Sequence, residues 1–347
     1  MSKSQGNVID PQDVVKRYGA DVLRLWVAST DFRNDMAASE KILKQVQEAY
    51  SKIRNTCRFL LSNLNDFGLE PETESLGSNQ KRNREFYSQV PFDNLLEIDR
   101  WIMLRLHRLI ERVNKAYDEF ELHLVYHSLY DFCVNDLSAF YLDMSKDRLY
   151  CGGKDSPERR SAQFAMRETL NSLVGLMAPV LSFTAEDIYR YVNSKPESLF
   201  SKQSQDSNVQ NSKSVFLQDM PKAEKRWLDE KLETKWATLF SFREKAYRQI
   251  EELRGAKTIG GSIDAQVEIL AKGKELEVLR SVESLLPMVF IVSKVVLKEG
   301  DGDPVVSHAP GEKCQRCWLW SESVGQNPSH STLCERCGKV VEILGGQ

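Results

Sequence analysis

Four cysteines near the C-terminus constrain this chain more than any other feature. Cys314-Gln-Arg-Cys317 and Cys334-Glu-Arg-Cys337 are two Cys-x-x-Cys pairs with sixteen residues between them. That spacing lets two tight knuckles deliver four thiolates to one tetrahedral ion, and zinc suits such a donor set. A site closed by four protein ligands is structural rather than catalytic. It contributes on the order of 10–16 kcal/mol of coupled folding free energy to a segment with little core. A redox dithiol or two disulfides are the other uses open to the same residues. Cys57, Cys133 and Cys151 are scattered, as buried or half-exposed thiols are. Seven cysteines so distributed suit a reducing compartment, not a secreted disulfide scaffold.

The rest of the chain reads as helices. Pro11–Trp26 is a short amphipathic segment with Val14, Val15, Leu23 and Leu25 available for burial. Ser39 caps a longer helix whose apolar line runs through Ile42, Val46, Ala49, Tyr50, Ile53, Cys57, Leu60, Leu61 and Leu64. Gly68–Gln89 is polar and rich in turn formers, hence a loop. Asp93 opens a helix with Ile98, Trp101, Ile102, Leu106, Leu109, Ile110 and Val113 on one face. A further apolar line follows through Val125, Leu129, Phe132, Leu137, Tyr141 and Met144. Pro157 starts a helix over Pro157–Met177, and a Thr184/Asp187 capping box starts another running through Val192.

Ser194–Gln218 is dominated by Ser, Gln, Asn and Lys, which reads as a linker. A helix over Lys225–Leu253 follows, carrying Trp236, Leu239, Phe240 and Ile250. The period then changes: Ala265–Ala271 alternates as a strand, Lys274–Leu286 is helical and Met288–Leu297 is rich in Val and Ile. The expected fold is mainly α: a helical bundle, then a small α+β domain, then the four-cysteine knuckle. The expected divisions are 1–38, the bundle at 39–193, a flexible linker at 194–224, the α+β domain with its leading helix at 225–306, and the metal module at 307–347.

Net charge is −3 with a pI near 6.1, so contact with nucleic acid must come from local basic stripes rather than the global field. No run of about 18 apolar residues exists, and no membrane partner is expected. A monomer is expected. Gly-x-Gly-x-x-Gly, Walker and His-Glu-x-x-His patterns are all missing.

The N-terminus is Met1-Ser-Lys-Ser-Gln-Gly-Asn-Val-Ile-Asp-Pro11, followed by Tyr18-Gly-Ala-Asp21 and Leu23-Arg-Leu-Trp26. Its hydroxyls, backbone N–H groups and single ammonium, Lys3, are what a phosphate chain requires when it is handled transiently. A frayed polar terminus has the same composition. Met1–Trp26 resembles the KMSKS signature of class I aminoacyl-tRNA synthetases, most closely the isoleucyl type of bacteria and mitochondria. That resemblance continues through Asp99-Arg-Trp101, Phe132–Leu142 and Lys146–Leu149 to the last cysteine.

The resemblance implies that Met1, Ser2, Lys3 and Ser4 belong to an ATP-handling loop in which Lys3 stabilises departing pyrophosphate, with ATP and Mg2+ engaged only in the full-length enzyme. It implies an anticodon-binding bundle and a zinc module that both engage tRNA(Ile). The nucleotide-binding core and editing domain of the family precede this loop, so this chain alone is expected not to aminoacylate. A mitochondrial matrix location follows from the same resemblance.

Candidate RNA contacts are Arg105, Arg108, Arg112 and Lys115, spaced three or four apart on one helix face, and Arg316, Trp318 and Arg336 beside the metal ligands. A solvated, ion-paired face is the other reading of the stripe, and Trp318 and Trp320 could equally pack the knuckle against its neighbour. The functional alternatives are a zinc-stabilised helical adaptor for RNA or protein without a ligase role and, more distantly, a segment of a valyl- or leucyl-type synthetase.

Overall fold

The computed structural model describes residues 9–67, 95–193 and 214–345. The loop Met1–Ser4 with Lys3, the stretch Gly68–Gln89, Asp93 and the first part of the expected linker lie outside the described residues. The chain forms two compact units, Met1–Phe140 with Ser161–Leu228, and Tyr141–Arg160 with Asp229–Gln347.

The first unit is helical. α1 (Pro11–Tyr18) and α2 (Ala20–Ser29) replace the single helix expected there. Gly19, at φ +95°, breaks it, a conformation that glycine adopts without a Cβ penalty. α3 (Glu40–Ser62) starts where the Ser39 hydroxyl accepts the Ile42 amide at 3.2 Å and buries Leu43, Val46, Ala49, Ile53, Cys57 and Leu60. Each leucine, valine and isoleucine among them contributes roughly 1.5–3 kcal/mol relative to exposure. α4 (Glu97–Asp118) buries Ile98, Trp101, Ile102, Leu106, Leu109, Ile110 and Val113. Leu96, not Asp93, is its N-cap residue.

α5 (Leu122–Asp131) runs without a break into a π-helix over Phe132–Tyr141 and then α6 (Leu142–Tyr150). The π segment was legible in the apolar line itself: Phe132 to Leu137 is a step of five, which i→i+5 bonding brings onto one face. α7 (Pro157–Met177) has its expected bounds. α8 (Ser182–Asn193) begins two residues before the expected capping box. Its leading amides are capped by a distant carboxylate, Asp21, which accepts from Phe183 N at 3.3 Å and Thr184 N at 2.7 Å.

Residues 214–224, the described part of the expected linker, are not linker-like. Val215 and Trp227 are buried, Glu186 accepts the Ser214 hydroxyl at 2.8 Å, and Asn114 donates to the Pro221 carbonyl at 2.8 Å. Within the expected linker, buried Val215 and these hydrogen bonds outweigh the polar composition that suggested it.

The second unit, besides α6, is built on α9 (Glu230–Gly255) and a three-stranded sheet. β1 (Ala265–Ala271) lies between β2 (Lys294–Glu299), parallel to it, and β3 (Val305–His308), antiparallel. The alternation in β1 buries Ala265, Val267, Ile269 and Ala271 on the face covered by α9. α10 (Gly273–Arg280) and α11 (Leu286–Phe290) fill the crossover to β2, a split helix where one was expected. A two-stranded hairpin, β4 (Glu312–Lys313) with β5 (Trp320–Ser321), then leads to α12 (Glu335–Gly345).

Candidate metal centre and RNA-facing residues

The four cysteines converge. Their sulfurs all lie within 4.8 Å of one another, and Cys317 Sγ is 3.8 Å from Cys334 Sγ. A tetrahedron with metal–sulfur bonds of about 2.3 Å has edges of about 3.8 Å, so the donor set fits zinc. All seven cysteines are free thiols, and the four sulfurs gather about one point, the arrangement of a four-sulfur metal site rather than of two bonded pairs.

Backbone bonding shapes each knuckle. Cys314 N–H donates to the Leu319 carbonyl, and Trp318 N–H donates to the Cys314 carbonyl, each at 2.9 Å. Trp318 takes φ +64° to close that turn. Cys334 and Cys337 stand at the start of α12, where unsatisfied amides favour negative charge. The Cys334 amide points at Cys314 Sγ, 3.3 Å away.

Burial pushes the Cys314 thiol up. Amides of Cys317, Cys334 and Arg316 outweigh that and hold it at about 6. Cys337 goes the other way, raised to about 11 by burial together with the charge of Cys334 and Cys314. Negative charge on one sulfur therefore disfavours charge on its neighbours, a repulsion that a bound cation would relieve.

Gly311 makes the hairpin register possible. At φ +87° it passes so close to β5 that a Cβ would sit 2.4 Å from the Ser321 carbonyl. On the other side of the hairpin, Trp320 is pinned inward. Its indole donates to Asp264 Oδ1 at 2.8 Å, its amide donates to Ser293 Oγ at 2.7 Å, and His308 meets its ring edge-on at 4.4 Å. The second Asp264 oxygen accepts the Gly260 and Gly261 amides at 3.0 and 3.1 Å. Burial pushes the Asp264 carboxyl up, and the donors Trp320, Lys313 and Gly260 bring it below its ordinary range. Trp318 instead stands 62% exposed. The two tryptophans therefore divide between the two readings left open for them: Trp320 packs and Trp318 is presented.

The other candidates divide as well. Arg336 forks onto Asp147, with Nη2 to Oδ1 at 2.7 Å. Arg316 donates to the Cys151 carbonyl and lies 3.8 Å from Cys337 Sγ. Both guanidinium groups are thus turned toward α6. On α4, Arg105 makes a bidentate pair with Asp136 at 3.1 and 3.2 Å. Arg108 lies 3.5 Å from Glu111, Lys115 lies 3.9 Å from Glu119, and Arg112 is exposed. Lys3, with Met1, Ser2 and Ser4, lies outside the described residues.

His107 is a satisfied core histidine. Its Nδ1 accepts the Glu224 amide at 3.0 Å, and it stacks on Trp227 with ring centroids 5.8 Å apart. No helix among the described residues is long and apolar enough to cross a membrane.

Residues 99–269 match the anticodon-binding domain of tRNA ligase, and residues 1–39 match the tRNA synthetases of class I (I, L, M and V). Residues 311–340 match the zinc finger found in FPG and IleRS. A helical bundle of this kind joined to a four-cysteine module defines part of a class I tRNA synthetase, and the chain belongs to that family. Within it, the chain is similar to isoleucine–tRNA ligases. It is 44% identical to that of Moorella thermoacetica, over 99% of this chain and 36% of that protein. It is also 44% identical to that of Carboxydothermus hydrogenoformans and 43% to that of Geobacter sulfurreducens, in each case over 99% of this chain and 35% of the relative. The chain thus spans about a third of the length of these relatives.

Proposed function

We propose that this chain is the tRNA(Ile)-binding part of an isoleucine–tRNA ligase, with zinc held by Cys314, Cys317, Cys334 and Cys337 as a structural element. The observation that carries this reading is the pair Trp318 and Trp320. One indole is anchored inside the unit, and the other is held outward on a knuckle that the metal makes rigid. A fixed, exposed indole is a stacking platform for an unpaired base, worth about 1–3 kcal/mol per base. Arg112 and Lys115 supply the phosphate-facing charge on α4, and the anticodon-binding match over 99–269 supports RNA as the ligand.

In the whole ligase, Lys3 and its neighbours Met1, Ser2 and Ser4 act on ATP·Mg2+ during isoleucine activation. Zinc supplies rigidity and takes no part in that chemistry. The reading carries with it a mitochondrial matrix location, supported by the bacterial-type sequence together with its polar stretch Ser194–Gln218. Nuclease footprinting tests the RNA assignment. Zinc-loaded protein is expected to protect the anticodon loop of a tRNA(Ile) transcript and leave the acceptor end open. Equal cleavage with and without protein would contradict it.

A further inference from the structure

Arg336 lies between the metal ligands Cys334 and Cys337, where a basic side chain would ordinarily be assigned to phosphate. Its guanidinium is already engaged, both terminal nitrogens reaching the two oxygens of Asp147 on α6. The other arginine of the module repeats the pattern. Arg316 donates to the carbonyl of Cys151, the C-cap residue of α6, and the Cys151 thiol returns a bond to the Arg316 carbonyl at 3.5 Å. A cation at that helix end complements its dipole. α11 packs against the same helix.

We infer that Arg336 is a positioning residue. Through Asp147 it latches the metal module to α6, and it acts on RNA binding by fixing that helix rather than by touching RNA. The fork is the reason to expect an effect. Isolated surface ion pairs contribute little, but a bidentate guanidinium–carboxylate pair holds orientation as well as charge, and here one end is mounted on a metal-organised turn. α6 and the metal module, with the exposed Trp318, belong to the same compact unit, so what fixes α6 fixes the surface beside the module. The inference about RNA rests on the tRNA-binding reading above; the latch itself does not.

The test uses the zinc-loaded 347-residue chain with Asp147→Asn, Arg336→Gln and the charge exchange Asp147→Arg/Arg336→Asp. The readouts are zinc content, hydrogen exchange of peptides covering 142–151, and affinity for a tRNA(Ile) transcript. Both single variants are expected to keep the metal, to raise exchange in 142–151 about fivefold and to weaken RNA binding by a similar factor. The exchanged pair is expected to restore both. The inference is overturned if Arg336→Gln weakens RNA binding while Asp147→Asn leaves it unchanged or tightens it, because a phosphate-contacting arginine gains from losing its carboxylate. It is also overturned if neither single variant alters exchange in 142–151. Should Arg336→Gln lose zinc, Arg336→Lys takes its place: raised exchange with full zinc supports the latch, and unchanged exchange rejects it. A wild-type chain that binds no tRNA sinks the functional reading, and the exchange arm still decides the latch.

Discussion

Asp21 accepts both the backbone amide and the hydroxyl of Thr184, at 2.7 and 2.6 Å, across 163 residues of chain. One turn further along α2, Arg24 donates to the carbonyls of Pro179 and Val180 at 2.7 and 2.9 Å. The α7–α8 corner therefore has its carbonyls satisfied by a cation and its amides by an anion, both from one helix. Tyr50 closes the set with its hydroxyl 2.9 Å from Thr184 Oγ1.

Removing the anion should be the costlier change. Asp21→Ala takes the carboxylate acceptor from the Phe183 and Thr184 amides and from the Thr184 hydroxyl, of which only the hydroxyl keeps a partner, in Tyr50, and is expected to destabilise the first unit by about 2–4 kcal/mol. Arg24→Met is expected to cost roughly 1–2 kcal/mol, and the double variant less than the sum, since both act on one corner. Hydrogen exchange of peptides from 182–193 along a urea series reads this out. A loss below about 0.5 kcal/mol for Asp21→Ala would reject the corner as a stabilising device.

The two knuckle tryptophans should respond oppositely. Trp320→Phe strips Asp264 of its indole donor and is expected to cost about 1–3 kcal/mol in stability. Trp318→Ala is expected to leave the melting temperature nearly unchanged and to weaken tRNA binding by about 1–3 kcal/mol. Because the Asp264 carboxyl is held below its ordinary range, its contribution is complete at neutral pH and disappears as pH falls below about 4. Melting and binding curves for the two variants, measured side by side, decide the assignment.

His107 sets a second acid limit, on the first unit. Burial, the largest influence, lowers its imidazole from 6.5 to about 4; Glu224 works against this and Arg226 with it. Below pH 6.5 the unfolded chain binds a proton that the folded one refuses. Stability is therefore expected to fall by up to about 3 kcal/mol between pH 6.5 and 4, and to be unaffected by this group above 6.5. His107→Gln should flatten that part of the stability profile. An unchanged slope would show that other groups carry it.

The basic stripe should split by its partners. Arg112→Ala and Lys115→Ala are each expected to weaken tRNA binding and to lower the salt slope by about one, as single phosphate contacts do. Arg105→Ala leaves the half-buried Asp136 without its fork and is expected to appear first as a loss of stability. Affinities taken across a salt series separate the two outcomes.

Much of this was legible in residue order. Ser39, Pro157 and the alternation over Ala265–Ala271 mark elements through local chemistry, and the structure keeps all three. The cysteine spacing foretold the four-sulfur cluster, because a tetrahedral ion leaves few other uses for it. What escaped were properties that depend on distant parts of the chain. Asp21 caps a helix that Thr184 and Asp187 seemed able to start alone, and Val215, with the partners of Ser214 and Pro221, orders a stretch whose composition read as linker. Arg316 and Arg336 looked free because Cys151 and Asp147, which hold them, are far away in sequence.

The most direct test is a filter-binding titration of the zinc-loaded chain against tRNA(Ile) and the same tRNA carrying a different anticodon. The account predicts at least about tenfold tighter binding of the cognate molecule, a preference that vanishes when zinc is stripped or Cys314 is replaced by Ala. Equal affinity for the two RNAs, or a preference that survives loss of the metal, would contradict it.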